Sequence, residues 1–386
     1  MVGVPILSHV LPSLEVVREL VARGHRVTYA NDPAVVPAVA ELIAGTGAEL
    51  VPCTSTLPVA DNDWPEDAIS AMGLFLDDAV QALPQLRAVY DDDPADLYLY
   101  DIGAYVGRAL AESQGRPCLQ LSPTFVGWRD YQRDVVAHVR KLPGADAYWE
   151  RFAQWLAGSG ATTTDVDTFS GVPTRALALI PRAMQPHAEQ VDTDVVTFVG
   201  PCSAARADEG GWARPAGAAK VLLISMGSAN TRQAQFYRQC LAAFGDLPGW
   251  HVVLQIGKYT DPEELGEIPA NVEVCSWVPQ PAVLREADAF VTHAGMGGCG
   301  DGLLAGVPML VAPQNMEQSM NADRLVDLGV ARRIDTAETT PEDLRKALLD
   351  LTSDAQVARR SALLRSEVRA EGGAARAADL IEGMLA

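Results

Sequence analysis

Apolar residues gather in short runs separated by longer amphipathic stretches, and the alternation repeats through both halves of the chain. Met1–Leu7 reads as a first buried strand. A helix is expected from Pro12, with Leu14, Val17, Leu20 and Val21 on one face and Gly24 just past its end. His25–Ala30 and Asp96–Asp101 read as further strands. A second series begins at Val221–Ser225 and runs through His251–Ile256, Val272–Trp277, Ala289–Thr292 and Met309–Ala312. Apolar strands alternating with helices predict a parallel, doubly wound α/β sheet in each half. Proline, glycine and alanine thicken between Pro201 and Lys220, which marks a linker. The expected boundaries are 1–205 for the first domain, 206–219 for the linker, 220–365 for the second domain and 366–386 for a terminal helix. That last helix closes a long helical run, Arg360–Leu385, with Gly372 and Gly373 midway.

A chain of 386 residues is long enough for two cores. No apolar run reaches the ~18 residues of a membrane helix, and the N-terminus lacks the basic flank and cleavage site of a signal peptide. The expectation is a cytoplasmic protein with no membrane partner. Fifty acidic against 30 basic residues give a net charge of −20, which opposes nucleic-acid binding. An anionic ligand would have to be held by local groups against that field. The six cysteines form no C-x-x-C pair and read as buried thiols.

Candidate chemistry concentrates at residues 290–302. Strand Ala289–Thr292 runs into His293 and glycines at 295, 297, 298, 300 and 302, followed by a helical run, Leu303–Ala305, then Gly306-Val307-Pro308. Glycines between a strand and a helix let backbone amides approach a phosphate, and the helix N-terminus adds positive potential. No Lys-Ser/Thr follows, so a P-loop is excluded. The G-x-G-x-x-G order at Gly295, Gly297 and Gly300 lacks the acidic ribose partner of a dinucleotide fold.

Trp277-x-Pro279-Gln280, Thr292-His293-x-Gly295, Asp301, Gly306-Val307-Pro308 and Glu317-Gln318 resemble, in order, the nucleotide-sugar signature of family 1 glycosyltransferases. Pro12–Val16, Ala82–Leu86, Gln185–Ala188, Ser225–Ser228 and Asn321–Asp323 are similar to segments of the bacterial macrolide branch. The resemblance implies a GT-B fold, two Rossmann-like domains facing a central cleft, with the terminal helix returning to the first domain. It also implies a UDP-sugar donor, UDP-glucose or a relative, and a site that needs no metal or other cofactor. Trp277 would stack on uracil beside Val278, Gln280 would belong to the same donor site, and Asp301 would accept from two ribose hydroxyls. His293, the backbone of Gly295, Gly297, Gly298 and Cys299, and Gly227-Ser228 would hold the diphosphate. Glu317 and Gln318 would bind the sugar hydroxyls. The family pattern carries glutamate at 301 and aspartate at 317, so this chain differs at both. Asp91–Asp93, Asp165-x-Asp167 and Asp192-x-Asp194 lie apart from the glycine stretch in sequence and read as solvated loops.

Glycoside formation needs a base for the acceptor hydroxyl, and a neutral imidazole suits that near pH 7. His9 lies in Ser8-His9-Val10-Leu11-Pro12, which resembles the family's Gly-His-x-x-Pro, and Asp101 matches the aspartate that orients the histidine. Met72, Phe75, Phe125, Trp128 and Tyr131 supply apolar surface for a hydrophobic acceptor such as a macrolide. The reading is an inverting transferase giving a β-glycoside, monomeric or homodimeric. The loop before His9 looks shortened, and this leaves open a weak or inactive glycosyltransferase-like partner protein. An epimerase of similar build would need further carboxylates around the sugar.

Overall fold

A computed structural model describes residues 1–34, 37–61, 63–203, 211–227 and 231–385. The chain forms two compact units, Met1–Cys202 with Gly372–Ala386, and Ser203–Glu371.

In the first unit, β1 (Thr28–Asn31) pairs with β2 (Glu49–Pro52), and β3 (Tyr98–Asp101), β4 (Cys118–Ser122), β5 (Ala176–Ala178) and β6 (Val196–Phe198) form a parallel row. The N-terminus joins the two groups. Val2 bridges to both Ala30 and Tyr100, with Val2 N–H donating to the Leu99 carbonyl at 2.8 Å and Ala30 N–H to the Met1 carbonyl at 2.8 Å. The sheet therefore winds outward in both directions from its first segment.

The expected strand Met1–Leu7 is cut short, because the first helix starts at Leu7 and runs to Ala22 with Pro12 inside it. Proline at the sixth position has no N–H for the Ser8 carbonyl, but the buried face, with Val10, Leu14, Val16, Val17 and Leu20, holds the helix onto the sheet. His9 consequently sits in the first helical turn rather than in a connecting loop.

The strands of the second unit are β7 (Lys220–Ser225), β8 (Trp250–Gln255), β9 (Val272–Cys275), β10 (Ala289–Thr292), β11 (Met309–Val311) and β12 (Ala331–Arg333). They form a six-stranded parallel sheet in the order β12-β11-β10-β7-β8-β9. The chain builds β7, β8 and β9 on one side, then crosses to β10 and builds the other half. The topological switch lies between β7 and β10, where open α/β sheets bind ligands at the carboxyl ends of the strands. A core of Leu222, Ile224, Phe236, Phe244, Val252, Leu254, Val291 and Leu310 fixes these strands.

The division of the chain differs from the sequence expectation at both ends of the second unit, which begins at Ser203 rather than at 220 and runs to Glu371 rather than to 365. Residues 211–219 belong to the second unit, where Arg214 donates to the Ala219 and Glu286 carbonyls and to Asp288; residues 206–210 of the expected linker lie outside the described residues. The long C-terminal run is two helices, Ala355–Ala370 and Gly373–Leu385, broken where Gly372 takes φ 95°. The second helix lays Ala377, Ala378 and Ile381 into the core of the first unit.

Candidate active site

In the first unit the switch point lies between the N-terminal segment and β3, and both give a side chain to it. His9 Nδ1 lies 3.0 Å from each carboxylate oxygen of Asp101. Asp101 ends β3, is 2% exposed, and accepts the Gly103 N–H at 2.8 Å. The His9 side chain keeps 21% exposure. A carboxylate only accepts, so Nδ1 donates to Asp101, and in a neutral imidazole held this way the lone pair belongs to Nε2. That is the protonation of a general base. Gly103 packs closely here: a Cβ would stand 3.1 Å from the Phe75 ring and 3.2 Å from Asp101 Oδ1.

At the switch point of the second unit, the glycines expected to form a loop are helical. The helix runs Met296–Ala305 from the cap residue Gly295, with no side-chain cap. Two of its glycines let it lie close on the sheet. A Cβ on Gly302 would reach Met309 Sδ at 2.7 Å, and one on Gly298 would reach Thr292 Oγ1 at 3.1 Å. Cys299 N–H is spent on the Gly295 carbonyl at 3.0 Å, and its side chain is fully buried. Cys299 thus offers a phosphate nothing, and the first-turn amides of Met296, Gly297 and Gly298 carry that capacity.

Gly227 and Gly295 meet His293 rather than open space. Their Cβ atoms would fall 2.7 Å from its Cε1 and 2.5 Å from its Nε2, and Gly227 has φ 86°. His293 Nδ1 is sealed from solvent and has no hydrogen-bond partner among the described residues. Burial pushes the imidazole pKa down to about 4, so His293 can supply one N–H but no positive charge at neutral pH. Ala294 follows at φ 62°, its carbonyl held by the Nδ2 of fully buried Asn321 at 2.9 Å. Ser228 lies outside the described residues.

Trp277 is 71% exposed, a free ring plane rather than a core side chain. Val278 beside it is buried and donates its N–H to Gln255 Oε1 at 3.2 Å, which makes it packing. Gln280 Nε2 donates to Asp301 Oδ2 at 2.8 Å, and Ser203 Oγ to Asp301 Oδ1 at 2.5 Å. Asp301 is 8% exposed, so the carboxylate expected to await two ribose hydroxyls already has a protein partner on each oxygen. Glu317 is exposed in the first turn of the helix Met316–Asp327. Gln318 folds its Oε1 back to the Gln314 N–H at 2.8 Å, leaving its NH₂ as the free end.

Residues 183–367 match the family model described as UDP-glucoronosyl and UDP-glucosyl transferase. The chain is 52% identical to the oleandomycin glycosyltransferase of Streptomyces antibioticus over 98% of its own length and 88% of that protein. It is 31% identical to the NDP-glycosyltransferase YjiC of Bacillus subtilis (strain 168), covering 100% of this chain and 96% of that one. The chain belongs to the family 1 glycosyltransferases. Among solved structures it is similar to the glycotransferase of kitacinnamycin, with a TM-score of 0.90 and 52% identity over 100% of this chain and 98% of that one. It is also similar to the calicheamicin glycosyltransferase CalG4, at a TM-score of 0.86 and 31% identity over 99% and 96%. These likenesses make each unit half of a GT-B glycosyltransferase.

In this glycosyltransferase the residues expected to bind an acceptor have several different packing partners. Phe75 stacks on Trp64, centroids 6.0 Å apart, beside Gly103 and hence beside Asp101. Met72 packs on a separate cluster around Ile69, Tyr148 and Phe152. Trp128 meets Tyr131 edge-on at 4.9 Å and spends its indole N–H on Asp134. Phe125 is half-buried. The aspartate pairs have local duties. Asp165 caps the helix Val166–Gly171, Asp167 accepts from Trp149 and Arg140, Asp91 accepts from Gln114, and Asp192 accepts the Asp194 N–H. Among the described residues no helix is long and apolar enough to cross a membrane.

Sequence reasoning missed Ser203 and the positioning role of Asn321. Ser203 stands 98 residues before the carboxylate it touches, and nothing in its neighbourhood marks it. Asn321 follows Gln318 on the same helix, and a buried amide beside a signature glutamine was the available signal.

Proposed function

We propose that this enzyme moves a hexose, glucose by preference, from a UDP-sugar to a hydroxyl of a macrolide or other hydrophobic natural product, with inversion to a β-glycoside and without a metal. The single observation that carries the reading is the His9–Asp101 pair at 3.0 Å, with the His9 side chain still 21% exposed. His9 takes the acceptor proton as the hydroxyl oxygen bonds to the anomeric carbon. The bond from that carbon to the diphosphate oxygen breaks on the opposite face, and its electron pair leaves with UDP. Asp101 stabilises the imidazolium that forms. The first-turn amides of the helix Met296–Ala305 and one N–H of His293 meet the charge on the leaving diphosphate. The relatives named for oleandomycin and for NDP-sugars support the acceptor class and the donor type.

The test is mass spectrometry of the protein incubated with UDP-glucose and a panel of oleandomycin, erythromycin and simple phenols, with and without EDTA. A hexose added to an acceptor, in equal yield under EDTA and with β-configuration by NMR, is the expected outcome. A yield abolished by EDTA would remove metal independence, and retained configuration would remove the His9 mechanism. UDP binding without turnover on any acceptor would favour the inactive partner protein.

A further inference from the structure

A side chain that ties an N–H on one loop to a carbonyl on another needs both an acceptor and a donor, and an amide has both. Gln255 ends β8, which lies between β7 and β9, and it pairs across the sheet with Ser225 and Cys275. Its side chain reaches the segments that follow both neighbours. Nε2 donates to the Gly227 carbonyl at 3.4 Å, and Oε1 accepts the Val278 N–H at 3.2 Å. Gly227 lies against His293, and buried Val278 follows Trp277. Leu254 and Ile256 on either side belong to the apolar core, so burying an amide between them has a cost that its two bonds offset. A ring as exposed as that of Trp277 has little packing to orient it, so its aim depends on the backbone that carries it.

We infer that Gln255 is a positioning residue for the donor. By tying the Gly227 turn and the Trp277 segment to one strand end, it fixes the spacing between the plane that stacks on the base and the groups that meet the diphosphate. This rests on the donor-site reading above and deepens it.

Calorimetric titration of the full chain with UDP and with uridine tests this. In the wild type, Trp277→Ala should raise the Kd for UDP by about tenfold, the worth of one stacked base. Gln255→Met fills the same space and makes neither bond. With the tie lost, Trp277→Ala in that background should raise the Kd by less than about threefold. Gln255→Glu keeps the acceptor for Val278 and loses the donor to Gly227. It should retain the tenfold effect of Trp277→Ala, while the preference for UDP over uridine falls by about tenfold. A glutamine that served stability alone would lower the melting temperature and leave the Trp277→Ala factor equal in wild type and Gln255→Met, and that result would overturn the inference. Should Gln255→Met fail to fold, an unchanged preference for UDP over uridine in Gln255→Glu would overturn it equally. Failure of the wild type to bind UDP would overturn the donor-site reading, and the inference with it.

Discussion

At the residue scale, two histidines stand in opposite surroundings. His9 is reachable from solvent and tied to a buried carboxylate, whereas His293 is sealed and its Nδ1 unpartnered. Replacing His9 by alanine should lower kcat by about 10²–10⁴, the usual worth of a positioned general base. Asp101→Asn should lower kcat over a similar range and leave the Kd for UDP, measured by titration, unchanged, because it disturbs the imidazole and not the donor. His293 acts on stability as well. An unfolded imidazole takes its proton below 6.5, the folded one only near 4, so in that window the unfolded state binds the extra proton. Stability from this residue is present above pH 6.5 and is lost as pH falls, by roughly 3 kcal/mol once below 4. The difference in melting temperature between wild type and His293→Asn should therefore shrink from pH 7 to pH 4.5. A constant difference would place the titration elsewhere.

At the scale of the element, the glycine-rich helix Met296–Ala305 serves two ends. Its buried glycines let it settle on β10 and β11, and its first turn leaves amides uncapped. Gly297 separates these roles, because a Cβ there meets nothing within 4 Å. Gly297→Ala should raise the stability of the free enzyme by roughly 0.5–1 kcal/mol through helix propensity. The same methyl stands over the amides proposed to hold the diphosphate, so UDP affinity should fall by about tenfold or more. Thermal melts and UDP titration on one preparation show whether the two effects have opposite sign. The sequence pattern found this element as a strand, glycines and a helix, yet placed the helix start seven residues late, at Leu303 instead of Met296. Glycine reads as a helix breaker from local propensity alone, and the packing against Thr292 and Met309 that overrides it is not local.

For the whole molecule, the decisive event is the return of the last helix to the first unit. Ile381, Ala377 and Ala378 complete a core with Val17 and Leu20, and Arg23 adds ion pairs to Asp379 and Glu382 at 2.7 Å each. Buried apolar contacts outweigh exposed ion pairs, whose gain is screened and costs side-chain entropy. Ile381→Ala should cost about 2–5 kcal/mol in the unfolding of the first unit, followed by calorimetry, and Arg23→Ala should move the same transition less.

The βαβ rhythm, the strand Ala289–Thr292 and the pairing of His9 with Asp101 were legible in the sequence. Period and family pattern are written in local order, and a strand end puts its chemistry at a known edge. The sequence could not show that Pro12 lies inside a helix begun at Leu7, that Gly227 and Gly295 are shaped to His293, or that Ser203 donates to the carboxylate of Asp301. Each depends on a side chain brought close by folding across many residues. Steric fit and hydrogen-bond occupancy are properties of that proximity, which only the tertiary structure decides.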